Sequence, residues 1–274
     1  WGAGHYKLSF AGCGVTHGLA GTLFAVGLRE QCAVVHGYVS AFLGEGHAVK
    51  VNFVGLSRGG IGGLYLAQDL ACFSIHQVIV NLLLFDPVPG NLILISRFLD
   101  WGGKSNANRA MDVSFVRNLG KVLVLYPHEP LPDIAVHAPL LARFPDGCDL
   151  EEDVILGCHQ GALWLRPKAD ACLSFARIRD FLLDRGSKLD LSRQVAQQLG
   201  VSAQHLAELM SSELRRDAPT TRSAHSPTPG AEIVRHSTGQ FLNRFHKRLL
   251  HQLGGVSDDG GSSGPMYMLD FLHR

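Results

Sequence analysis

Apolar residues along the chain alternate between two spacings. Val49-Lys50-Val51-Asn52-Phe53-Val54 is a β-branched run that stops at Gly55, and beyond it Ile61, Leu64, Ala67, Gln68 and Ala71 recur at helical spacing to about Phe73. Gln77 to Phe85 is an almost continuous apolar run, interrupted by Asn81, as expected of a strand covered on both faces of a parallel sheet. Lys121 to Tyr126 and Asp153 to Gly157 read as further strands, and a helix is predicted from about Lys168 to Leu183. Upstream, Tyr6-Lys7-Leu8-Ser9-Phe10 alternates like a strand and runs into the glycine-rich stretch 11–18. A long helix is then predicted from about Leu19 to Leu43, ended by Gly44-Glu45-Gly46. Residues 91–118 are mixed, with Lys104-Ser105-Asn106-Ala107-Asn108 expected as a loop, and Pro127 to Asp149 is proline-rich and irregular. Strands alternating with helices argue for a doubly wound, mostly parallel α/β sheet.

The pattern changes after residue 186. Leu189 to Leu199 and Ser202 to Leu214 are two amphipathic helices, giving a hairpin over 187–215. Residues 216–230, rich in Pro, Ser, Thr and Ala, are expected as a flexible linker, and 231–274 as a basic helix and tail. The expected organisation is therefore a sheet domain over 1–186 with a C-terminal helical appendage. The hairpin has the spacing of a helix-turn-helix, but its second helix carries Glu208 and Glu213 and has arginines only at its end. A reader of base edges presents basic or amide groups early, so a cap or lid is the better expectation and no nucleic-acid partner is expected.

Composition narrows the picture. The 274 residues are 46% hydrophobic with a formal charge of +1, enough for a buried core and without the global field that would draw nucleic acid. The six cysteines form no C-x-x-C pair and are expected as buried free thiols in a reducing compartment. The longest apolar run is too short to span a bilayer and no basic-then-apolar leader opens the chain, so synthesis in the cytoplasm is expected; the first residue is Trp1 rather than Met. Arg244, His246, Lys247 and Arg248 could touch an anionic membrane surface, although a solvated helix face is the simpler reading. Oligomeric state is not legible.

The chemistry gathers at Gly55-Leu56-Ser57-Arg58-Gly59. A Gly-x-Ser-x-Gly between a predicted strand and a predicted helix is the nucleophile elbow of α/β-hydrolases, which gives the sheet its expected type, an α/β-hydrolase sheet. A serine alkoxide is not available at neutral pH, so Ser57 needs a base, and the base needs an acid to fix its tautomer. In this fold the chain order is serine, acid, histidine. His159 follows the last predicted strand within Gly157-Cys158-His159-Gln160-Gly161, whereas His76 precedes a strand and His128 and His137 fall in an irregular segment. Asp86, ending the strand after the nucleophile strand, is favoured as the acid, with Glu129 and Asp133 as alternatives one strand later. The backbone N–H of Arg58 and one from the Gly12-Cys13-Gly14 loop, at Cys13 or Gly14, would form an oxyanion hole; the Arg58 side chain reads as structural rather than catalytic. No metal or cofactor is expected.

Gly-Leu-Ser-Arg-Gly-Gly resembles the Gly-Phe-Ser-Arg-Gly-Ala elbow of a bacterial family of α/β-hydrolase-like proteins that includes phospholipase effectors of type VI secretion systems. Gly12-Cys13-Gly14-Val15 before a helix, Phe85-Asp86-Pro87-Val88 and Gly157-Cys158-His159 are similar to further motifs of that family in the same order, over roughly residues 8–165. The resemblance implies Ser57, Asp86 and His159 as a triad, hydrolysis of lipid or other esters, and translocation as an effector. The alternative is an inactive hydrolase fold that serves as an interaction scaffold.

Overall fold

The computed structural model describes residues 4–13, 25–90, 101–129, 138–159, 169–189, 208, 221–224, 226–228, 231–234, 249 and 268–270. Four parallel strands form one sheet in the order β1-β2-β3-β4: β1 Val49–Leu56, β2 Val78–Phe85, β3 Leu119–Glu129 and β4 Asp149–Cys158. The helices described along their length are α1 Leu28–Gly44, α2 Arg58–Asp69 with a 3₁₀ turn Leu70–Cys72, α3 Trp101–Ala110 and α4 Ala169–Asp184. The architecture is α/β, with the buried parallel sheet the sequence predicts.

Helices cover both faces. Successive strand side chains point to opposite faces. Phe53 of β1 meets α2 at Gly63, where a Cβ would lie 2.6 Å from the Phe53 ring. The neighbouring Asn52 points the other way and donates to the Arg185 carbonyl at 3.2 Å and the Ser187 hydroxyl at 2.8 Å, just past the end of α4. Glycine at 63 is therefore a condition for helix and strand to approach this closely.

The core lies along β2 and β3, where Val80, Leu82, Val122 and Leu125 have no exposed surface. One buried amide breaks the apolar run and is fully used. Asn81 donates to Asn52 Oδ1 at 2.8 Å and accepts the Lys121 backbone N–H at 2.9 Å. The β2–β3 register shifts at this point, between Val80 and Leu82. Gly120 makes room for the shift, since a Cβ there would stand 2.5 Å from Asn81 Oδ1.

Several expectations are corrected. Residues 5–12 form no strand; Tyr6, Leu8 and Phe10 stay exposed, because alternation without a partner strand has nothing to pair with. The helix expected from about Leu19 to Leu43 is described over Leu28–Gly44; Ala25 (φ 56°) and Gly27 (φ 94°) take left-handed conformations just before it, and residues 19–24 lie outside the described residues. Lys104 to Asn108, expected as a loop, lies within α3. β4 begins at Asp149, four residues before the predicted Asp153, because its acidic residues have basic partners: Lys121 reaches Asp149 at 2.8 Å and Glu151 at 3.2 Å, and Arg177 pairs with Glu151. Cys13, Cys32 and Cys172 are buried free thiols, but Cys72 is exposed.

Beyond α4 the chain forms a second, antiparallel sheet of Thr221–Ser223 (β5), Glu232–Val234 (β6) and Met268–Asp270 (β7). β5 falls inside the stretch expected as a linker and β6 at the start of the expected basic helix. Ile233 alternates inward and joins the hydrophobic core. Apart from 187–189 and Glu208, the helical hairpin lies outside the described residues, as do Arg244, His246, Lys247 and Arg248. Among the described residues no helix is long and apolar enough to cross a membrane.

Candidate active site

The site is built on strand ends. β1 ends at Leu56 opposite Phe85, the last residue of β2. The hydrogen-bond ladder continues one step further, with Ser57 N–H donating to the Phe85 carbonyl at 2.9 Å and Asp86 N–H to the Leu125 carbonyl at 2.7 Å. Ser57 and Asp86 are thus adjacent residues on neighbouring strand ends, about 5 Å apart at the backbone by the spacing of a sheet.

Ser57 stands at φ 55°, ψ −119°, immediately before the first residue of α2. This is a sparsely populated conformation, costing on the order of 1–3 kcal/mol, of the kind that collects at functional sites. Its neighbours explain how the turn is held. A Cβ at Gly55 would fall on the Gly59 carbonyl oxygen, and one at Gly60 would lie 2.9 Å from Pro87 Cβ. Gly59, the second glycine of the motif, has open space around it, so the steric need sits at Gly55 and Gly60. The Ser57 carbonyl accepts the N–H groups of Gly60 at 2.9 Å, Ile61 at 3.4 Å and Val88 at 3.2 Å, which ties the elbow to the chain beyond β2. The N–H groups of Arg58 and Gly59, the first two of the helix, have no partner inside it.

Asp86 also takes a positive φ, 45°, and is wholly buried. Its Oδ2 lies 2.5 Å from Nδ1 of His159, a buried pair across 73 residues of sequence. His159 follows the end of β4, two strands away from β2. Gly157 (φ 110°) bends the end of β4 in a conformation that a side chain would oppose. Ser57 and His159 are 9% and 7% exposed, so the three side chains occupy the interior at the carboxyl edge of the sheet. Charge-assisted hydrogen bonds in such surroundings are short and strong.

The other candidates are placed as follows. Glu129, the last residue of β3, is in register with Cys158. Asp133, His137 and Gly14 lie outside the described residues, and His76 is exposed in the turn before β2, at the opposite edge of the sheet. Cys13 is buried beside the elbow helix. Burial pushes its thiol up, while its backbone hydrogen bond and the nearby Arg58 cation pull it partly back. The Ala11 carbonyl accepts from Gln31 of α1 at 3.2 Å, which helps fix the loop. The Arg58 side chain turns toward the site: Nη1 is 3.5 Å from Ser57 Oγ, and burial lowers the guanidinium from its ordinary value.

Fold and strand-end arrangement together define an α/β protein of hydrolase-like layout, with an elbow at the carboxyl edge of a parallel sheet. No family model matches the sequence, and no curated protein does. Among solved structures the chain is similar to one described as "Putative hydrolase" from Agrobacterium vitis S4, at 18% identity over 60% of this chain and 70% of that one, with a TM-score of 0.38.

Proposed function

We propose that the protein is a serine hydrolase of carboxylic esters, with Ser57 as nucleophile, His159 as base and Asp86 as the orienting acid. The observation that carries this reading is the buried Asp86–His159 bond of 2.5 Å beside a serine held at a strained elbow. With Nδ1 bonded to Asp86, Nε2 is the nitrogen that serves the hydroxyl. Ser57 Oγ attacks the ester carbonyl and its proton passes to His159. The tetrahedral oxyanion is held by the Arg58 N–H and one from the Cys13–Gly14 loop. His159 then protonates the leaving alcohol, and water activated by the same ring hydrolyses the acyl-enzyme. The resemblance of the elbow to bacterial phospholipase effectors favours lipid acyl esters.

Turnover of p-nitrophenyl esters of short and long acyl chains tests the reading. Wild type is expected to turn over, Ser57→Ala and His159→Ala to lose at least about 10³-fold in kcat, and a fluorophosphonate probe to label wild type but not Ser57→Ala. A folded wild type that neither turns over nor takes the probe would leave the fold as an interaction scaffold.

A further inference from the structure

Arg58 follows the candidate nucleophile, and among the described residues its charge stands on no carboxylate. Arg29, Arg143, Arg177 and Arg179 each stand on a carboxylate. Arg177 is the instructive comparison, because its side chain is only 11% exposed and has both Glu151 and Asp153 within ion-pair distance. Arg58 has no such partner among the described residues. Its Nε is buried without a hydrogen bond, as are those of Arg177 and Arg185, so what sets it apart from Arg177 is the absence of a carboxylate among the described residues. The hydroxyl of Ser57 is its polar neighbour, at 3.5 Å from Nη1. Cys13 cannot supply the missing charge, since burial holds its thiol in the neutral form.

A guanidinium that is partly withdrawn from water and left unpaired is costly, and such groups are retained where an anion completes them. Its planar fork suits carboxylate and phosphate oxygens alike. An anionic oxygen bonded to Nη1 would lie no farther than about 6 Å from Ser57 Oγ, given the length of a charge-assisted hydrogen bond.

We propose that Arg58 selects substrates by a formal negative charge: the ester cleaved at Ser57 carries a carboxylate or phosphate within a few bonds of its scissile carbonyl. The proposal rests on the serine-hydrolase reading for its substrate and makes Arg58 a specificity determinant. It gives this side chain a role beyond the structural one expected from the sequence.

The test compares matched charged and neutral esters in wild type, Arg58→Gln and Arg58→Lys. p-Nitrophenyl hemisuccinate against the butyrate reads a carboxylate, and 1-butyrylglycerol 3-phosphate against monobutyrin reads a phosphate. In wild type kcat/KM is expected to favour the charged member of at least one pair, which names the anion. In Arg58→Gln that preference should fall by about 10- to 100-fold, chiefly through KM, with partial rescue in Arg58→Lys. Equal losses on charged and neutral esters, or no loss on either, would overturn the proposal.

A second readout is independent of turnover. Inorganic phosphate and malonate are titrated calorimetrically into Ser57→Ala with and without Arg58→Gln. Binding of either that weakens at least about tenfold in the double variant supports the anion site even if no ester is cleaved, in which case only the hydrolase reading falls. Ester turnover with no charge preference and no anion binding removes the anion site and leaves the hydrolase.

Discussion

Asp86 has no exposed surface, and a buried carboxylate must be paired. His159 pairs with it, and the same bond would fix the imidazole tautomer. Asp86→Asn is the informative variant, because asparagine tolerates the positive φ that the position demands. Ester turnover should fall by about 10³- to 10⁴-fold while thermal unfolding stays cooperative. A kcat within tenfold of wild type would move the acid role elsewhere. Ser57, Asp86 and His159 were legible because each follows an apolar run that can be read as a strand. Asp86 was favoured over Glu129 and Asp133 from its place at the end of β2, but its 2.5 Å bond to His159 was not legible, since it joins strand ends 73 residues apart. The setting of the Arg58 side chain was not legible, because a sequence does not display whether a charge has a partner; among the described residues this one stands on no carboxylate.

At the scale of elements, local pattern and tertiary support part company. β2 could be read from its apolar run, whereas residues 5–10 alternate perfectly and pair with no strand among the described residues. α3 is polar throughout its middle and was hidden for that reason. Its helical form is supported from outside, by Tyr65 Oη donating to Asn106 Oδ1 at 3.0 Å, Asn106 Nδ2 donating to the Pro89 carbonyl at 3.2 Å, and Gln68 Nε2 donating to the Arg109 carbonyl at 2.8 Å. The α2–β1 contact yields a prediction. Gly63→Ala places a methyl 2.6 Å from Phe53 Cε1 and 2.9 Å from Leu84 Cδ2, despite the better helix propensity of alanine. Denaturant unfolding should show a loss of about 1–3 kcal/mol, with part recovered when Phe53→Leu is combined with it. Purely additive losses would show that the Phe53 ring is not the obstacle.

Among the described strands β4 stands at one edge of the parallel sheet, and it carries acidic residues of the kind that discourages edge-to-edge pairing. Glu152 on the same strand differs from its neighbours: burial alone pushes its carboxyl up to about 7. The folded protein therefore holds that proton more tightly than the unfolded chain. Its favourable contribution is complete below the ordinary glutamate range and is lost as pH rises through about 7. Melting temperature should fall between pH 5.5 and 8 by a few degrees more in wild type than in Glu152→Gln, the scale of about 1 kcal/mol in a chain of this size. Parallel pH profiles for the two proteins would contradict the assignment.

On the proposed serine-hydrolase reading, the bond from Asp86 to His159 also fixes when the molecule becomes competent. The two residues are separated by 73 positions, and every strand between them must be laid down before they meet. Parallel sheets of this kind close slowly because loop entropy is spent before distant contacts return it. A chain still emerging from the ribosome carries the elbow long before it carries His159, the proposed base. In refolding, capture of a fluorophosphonate should trail the return of far-UV ellipticity, and a chain cut before Asp149 should never capture it. Reactivity would then wait for β4 and His159, well after the elbow itself has been made.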